Sequence, residues 1–103
     1  MKKILYACRD IKYAVKGLEF LLSNKDIVLN GCLINQESDI IRDICRKNDI
    51  QIYDDENRYK IEKDFEDSEL DLLISFSYPK KIEDFIINKA KQAINFHPAP
   101  DRK

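Results

Sequence analysis

The chain has no tryptophan, one histidine, two glycines and almost no net charge. Each shortage removes a class of function. Two glycines cannot furnish a Gly-x-Gly-x-x-Gly dinucleotide loop or a phosphate-cradling loop of the Walker type. A formal net charge of -1, from 18 basic and 19 acidic residues, leaves no electrostatic footprint for nucleic acid or an anionic membrane. Cys8, Cys32 and Cys45 form no Cys-x-x-Cys pair, and a single histidine cannot complete a Cys/His zinc cage. Each reads as a buried small hydrophobe in a reducing compartment. No apolar stretch approaches a membrane span. The opening run Ile4-Leu5-Tyr6-Ala7-Cys8 stops at Arg9-Asp10, too short for a secretory core. The expected location is the cytoplasm.

What remains suits one folded domain: 103 residues, 44% of them hydrophobic, with 36% charged residues to cover the surface. Short apolar runs alternate with amphipathic ones. Residues 3–8, 27–34, 50–53, 70–76 and 93–97 read as strands, and 27–34, nearly all apolar, reads as buried on both faces. Between the first two, Ile11, Ala14, Val15, Leu18, Leu21 and Leu22 recur at helical spacing, with Asp10 as the expected cap and Gly17 on the polar side. Ser38 or Asp39 caps a second helix whose inner stripe is Ile40, Ile41, Ile44 and Cys45. Residues 54–69 are the most charged stretch, read as a short helix between loops anchored by Tyr59, Ile61 and Phe65. Pro79 fits the first position of a last helix carrying Ile82, Phe85, Ile86 and Ala90. The order βαβαβ(α)βαβ predicts a Rossmann-like, doubly wound α/β fold with a parallel sheet of about five strands.

Ligands of such sheets bind beyond the carboxyl ends of the strands. The residues falling there are Cys8-Arg9-Asp10, Asn35-Gln36, Asp54-Asp55, Ser75-Phe76-Ser77-Tyr78 and Asn95-Phe96-His97. Cys8 is placed like the phosphocysteine of small sugar-phosphotransfer domains, but bulky Arg9-Asp10-Ile11 follows it where small residues should ring a phosphate. Asp10 with Asp54 and Asp55 is placed like the carboxylates of a response-regulator receiver, which also needs a lysine on the fifth strand. Asn95 and His97, two apart in a strand, project to one side. They offer an amide donor and a group that carries a proton near neutral pH, a pair able to stabilise the oxyanion of an acyl-transfer intermediate and manage an amine proton. A lone histidine also serves as a satisfied structural residue.

The stretch Ala93-Ile94-Asn95-Phe96-His97-Pro98-Ala99-Pro100 resembles the Asn-x-His-Pro motif of folate-dependent formyltransferases. The opening strand and helix, the turn Asn48-Asp49-Ile50-Gln51-Ile52-Tyr53, and Leu70-Asp71-Leu72-Leu73-Ile74-Ser75-Phe76-Ser77-Tyr78 resemble further parts of that family in the same order. The resemblance implies Asn95 as oxyanion donor, His97 as proton handler, and Ser75, Phe76, Ser77 and Tyr78 along the pocket for 10-formyltetrahydrofolate. It implies formyl transfer to a primary amine. Phe96 between Asn95 and His97, followed by Pro-Ala-Pro, resembles the variant that acts on nucleotide-linked aminosugars.

The family continues after His-Pro with Leu-Pro, a basic-Gly loop and later a catalytic aspartate, whereas here Asp101-Arg102-Lys103 follow. The expectation is therefore an incomplete, N-terminal portion of a formyltransferase domain, inactive alone. Its fifth strand would be an open edge through which copies of the chain could associate. A stand-alone Rossmann-like binding or interaction module is the alternative.

Overall fold

A computed structural model describes residues 1–96 of the 103. Five strands, β1 (Lys2–Cys8), β2 (Ile27–Ile34), β3 (Ile52–Tyr53), β4 (Leu70–Phe76) and β5 (Ala90–Phe96), lie in the order β3-β2-β1-β4-β5, every neighbouring pair parallel. Helices α1 (Lys12–Ser23), α2 (Asp39–Lys47), α3 (Ile61–Asp64) and α4 (Asp84–Ile87) occupy the crossovers, with a 3-10 turn at Arg58–Lys60. The chain builds outward from β1 to β3, then returns to the other side of β1 with β4. This is the doubly wound α/β, Rossmann-like fold, and strand order reverses between β1 and β4. Among the described residues no helix is long and apolar enough to cross a membrane.

Alternate residues of β1 enter opposite cores. Ile4, Tyr6 and Cys8 pack with Ala14, Leu18 and Leu21 of α1, Cys32 and Ile34 of β2, and Ile41 and Cys45 of α2. Leu5 and Ala7 pack on the other face with Leu33, Tyr53, Ile61, Phe65, Leu70, Leu73 and Ile86. Strands β2 and β4 span the residues that their apolar runs predict. β2 is fully buried only from Gly31 onward, and Val28 is 37% exposed. A bulge divides its two halves: Ile4 pairs with Leu29 but Leu5 with Gly31, which leaves Asn30 outside the register.

The two glycines serve close approach rather than turns. Gly17 does not lie on the polar side of α1: a Cβ there would stand 2.6 Å from the Tyr6 hydroxyl, which donates to the Ala14 carbonyl at 2.8 Å. A Cβ on Gly31 would meet the Tyr53 ring at 2.7 Å. The positions that do require φ near +60° are held by Asp49, Ser68 and Ser77.

The caps differ from expectation. The Asp10 carboxylate does not cap α1. It accepts the Ile40 and Ile41 N–H groups at 2.8 and 3.0 Å, so it caps α2 from across the fold. Ser38, at the N-cap position of α2, turns its hydroxyl to Asn35 instead. Ile40 points outward, 55% exposed, because two other isoleucines and Cys45 already fill the inner stripe. Tyr59 is exposed too, while Ile61 and Phe65 anchor as expected. Helix α4 starts at Asp84, five residues after Pro79, and β5 begins at Ala90 rather than Ala93.

Candidate functional site

The carboxyl end of β4 turns sharply. Ser77 has φ 56°, and its N–H donates 3.2 Å to the Phe96 carbonyl of β5. That reversal brings Tyr78 back over the face carrying Leu73 and Ile86, where it packs against the core. A groove of about 350 Å³ results at the ends of β4 and β5, within the range of small-ligand sites. Ser75, Tyr78 and Asn95 supply its polar groups, Leu73, Ile82 and Ala93 its apolar wall, and Lys80 and Lys81 its cationic rim. Ser75 and Asn95 are register partners on adjacent strands, which explains why both open onto it.

Arg58 sets the position of Tyr78. One terminal nitrogen donates to the Tyr78 hydroxyl at 2.8 Å, the guanidinium carbon lies 5.8 Å from that ring's centroid, and the other terminal nitrogen pairs with Glu83. Asp55 joins the cluster, 3.5 Å from Arg58 and 2.8 Å from Lys80. Burial opposes the charge on Arg58, but its bonds to Glu83 and Tyr78 outweigh that and raise its pKa, so it stays a cation. Burial raises Tyr78 against the opposing pull of Arg58, which keeps the hydroxyl protonated at neutral pH. Arg58 is only 6% exposed although it sits in the most charged segment of the chain, and no sequence pattern distinguishes it from its solvated neighbours.

Ser75, Tyr78 and Asn95 therefore meet in one place. Phe76 does not join them: it faces the opposite side of the sheet, its ring 5.9 Å from Phe96. Ser77 contributes the backbone turn. His97 lies outside the described residues. Cys8 is buried in the core under α1 and α2, unavailable to a surface phosphate. Asp10 is occupied by the N-terminus of α2, and Asp54 and Asp55 are ion-paired to Arg42 and to Arg58 with Lys80. Among the described residues no group of three or more His, Cys, Asp or Glu side chains could hold a metal ion.

Fold and groove together define a doubly wound α/β protein whose candidate ligand site lies at the ends of β4 and β5, beside the reversal in strand order. No protein-family model matches the chain, and no curated protein sequence matches it.

Proposed function

We propose that this chain carries the formyl-donor part of a folate-dependent formyltransferase site, with 10-formyltetrahydrofolate held in the groove at the ends of β4 and β5. The observation that carries this reading is the meeting of Ser75, Tyr78 and Asn95 on one groove of ligand size. Its apolar wall, hydroxyl and amide lining, and lysine rim suit a planar heterocycle with polar edges and an anionic tail. Bound there, 10-formyltetrahydrofolate supplies the formyl group for an acceptor amine, proposed to belong to a nucleotide-linked aminosugar. Asn95 donates an amide N–H to the oxyanion that develops at the carbonyl, and His97 takes up the proton of the attacking amine. Among these 103 residues none matches the family's carboxylate that orients this histidine, and the role proposed for them is donor binding. The setting is cytoplasmic, in keeping with three free thiols among the described residues.

Titration calorimetry with a formyl-folate analogue tests the reading. Saturable heat is expected, weakened at least tenfold by Ser75→Leu, which fills the groove. An absence of heat at high ligand concentration overturns it. Formyl transfer to a 4-amino-4,6-dideoxy sugar nucleotide is expected to be undetectable for the chain alone, and turnover that survives His97→Ala would remove the role given to that residue.

A second reading, a non-catalytic interaction module, is favoured by β5. From Lys91 onward this edge strand is exposed, with Ile94 39% and Phe96 46% accessible. A strand at the end of the sheet order with exposed apolar side chains suits association with a second copy of the chain. A dimer in sedimentation that persists when the groove is filled by Ser75→Leu would support the module, and a monomer at every concentration would exclude it.

A further inference from the structure

The two lysines on the rim of the groove are not equivalent. Lys80 is committed, because its ammonium pairs with Asp55 at 2.8 Å and Asp55 also faces Arg58. Lys81 makes no ion pair or side-chain hydrogen bond among the described residues. The chain around it is nevertheless fixed. Lys80 is tied to Asp55, Ile82 packs against the core of that face, and Glu83 pairs with Arg58. An ordered backbone therefore presents an exposed ammonium that has no internal task.

Hollows on more than one side of the strap meet at Lys81. It lines the groove at the ends of β4 and β5, and with Lys80 it lines a second hollow of about 350 Å³ bounded by Asp55, Arg58, Tyr59 and Glu83. A ligand too long for the groove passes these two lysines on its way into the second hollow. Tyr59, stacked on Phe85 with ring centroids 5.9 Å apart, gives that hollow an aromatic wall. Its acids are already answered: Glu83 by Arg58, and Asp55 by Arg58 and Lys80. Asp84 lines a further hollow with Lys81 and Glu83, and neither of the first two. The positive charge left over along the path out of the groove is that of Lys81. We propose that Lys81 is the specificity-determining residue of the site, recognising an anionic tail on the ligand, while Lys80 holds the rim in shape. This rests on the donor-binding reading and adds what the donor must carry, a carboxylate-bearing tail beyond its heterocycle. An exposed ammonium discriminates by charge rather than by a fixed hydrogen-bond geometry, so the selection is modest and screened by salt.

Two probes of equal size test this by calorimetry on the full chain: 5-formyltetrahydrofolate, and its diamide, in which both tail carboxylates become carboxamides. The wild-type chain is expected to prefer the dicarboxylate by about fivefold at low ionic strength, a margin that shrinks as sodium chloride is added. Lys81→Met is expected to bring the two affinities within about twofold of each other, whereas Lys80→Met keeps the preference. The readout is a ratio of two ligands on one protein, so a change in groove shape common to both cancels. Equal affinities in the wild-type chain, a preference that survives Lys81→Met, or one that disappears in Lys80→Met would overturn the assignment while leaving donor binding in place. Heat from neither probe would overturn the donor-binding reading, and this assignment with it.

Discussion

One face of the sheet is closed by α1 and α2 over aliphatic side chains and three thiols, with Tyr6 satisfied by a single internal carbonyl. The other face has an apolar core of similar size that includes the rings of Tyr53 and Phe65, but its outer half is built from Arg58, Asp55, Glu83, Lys80 and Tyr78. Helices of twelve and nine residues cover the first face, whereas α3 and α4 have four residues each. Helices that short contribute little by propagation, so ion pairs and side-chain hydrogen bonds must position the chain around them. The contrast separates two tasks. The first face supplies stability through burial, and the second holds an irregular segment in the shape that makes a groove.

The largest expected effect tests the first task. Leu18 is fully buried on α1. Leu18→Ala removes its side chain from a closed core and should lower stability by about 3 kcal/mol, measured by urea denaturation. Ligand affinity of the remaining folded protein should be unchanged, because Leu18 lies across the sheet from Ser75 and Tyr78. A loss of affinity in the folded fraction would break the division between the faces.

Arg58→Met reverses the pattern. Breaking a buried charge pair is strongly destabilising when the abandoned partner stays dry. Here Asp55 and Glu83 are 29% and 35% exposed and can regain water. The expected loss is therefore nearer about 1.5 kcal/mol. The larger consequence falls on the groove, since Tyr78 loses both its hydrogen bond and the cation beside its ring. Calorimetry should show at least a tenfold drop in affinity for the formyl-folate analogue, and unchanged affinity would mean that Arg58 has no part in shaping the site.

The same contrast decides what was legible in the sequence. β2 and β4 were readable at both ends because central strands of a parallel sheet are continuous apolar runs. Of the three described residues with left-handed φ, two, Ser68 and Ser77, are serines in segments that the alternation of apolar runs does not resolve. Capping is spatial as well as local: Asp10 lies next to α1 in the chain but reaches α2, 30 and 31 residues away. Arg58 was invisible for a related reason. A buried guanidinium is recognisable only by its partners, and Tyr78 and Glu83 are 20 and 25 residues distant. Within the proposed site, strand pairing of β4 with β5 accounts for Ser75 and Asn95. The displacement of Phe76 follows from alternation, since adjacent strand residues face opposite ways.

Asp54 lies at the seam between the two faces and carries the smallest effect. Its carboxylate pairs with Arg42 of α2 at 3.2 Å and accepts the Glu56 and Asn57 N–H groups that start the segment leading to Arg58. Burial alone would raise its pKa, but the Arg42 bond and the two N–H donors prevail and hold it below the ordinary value of 3.8. The folded state then binds fewer protons than the unfolded one, so this contribution is present in full above 3.8 and disappears as pH falls through the depressed folded value. Asp54→Asn keeps an acceptor for the N–H groups and removes the charge facing Arg42. At neutral pH the variant should be less stable by roughly 0.5 kcal/mol, with screening by solvent included. Urea titrations at descending pH should show that difference closing in acid. A difference that stays constant throughout would mean the seam is held by geometry alone, with no help from the charge on Asp54.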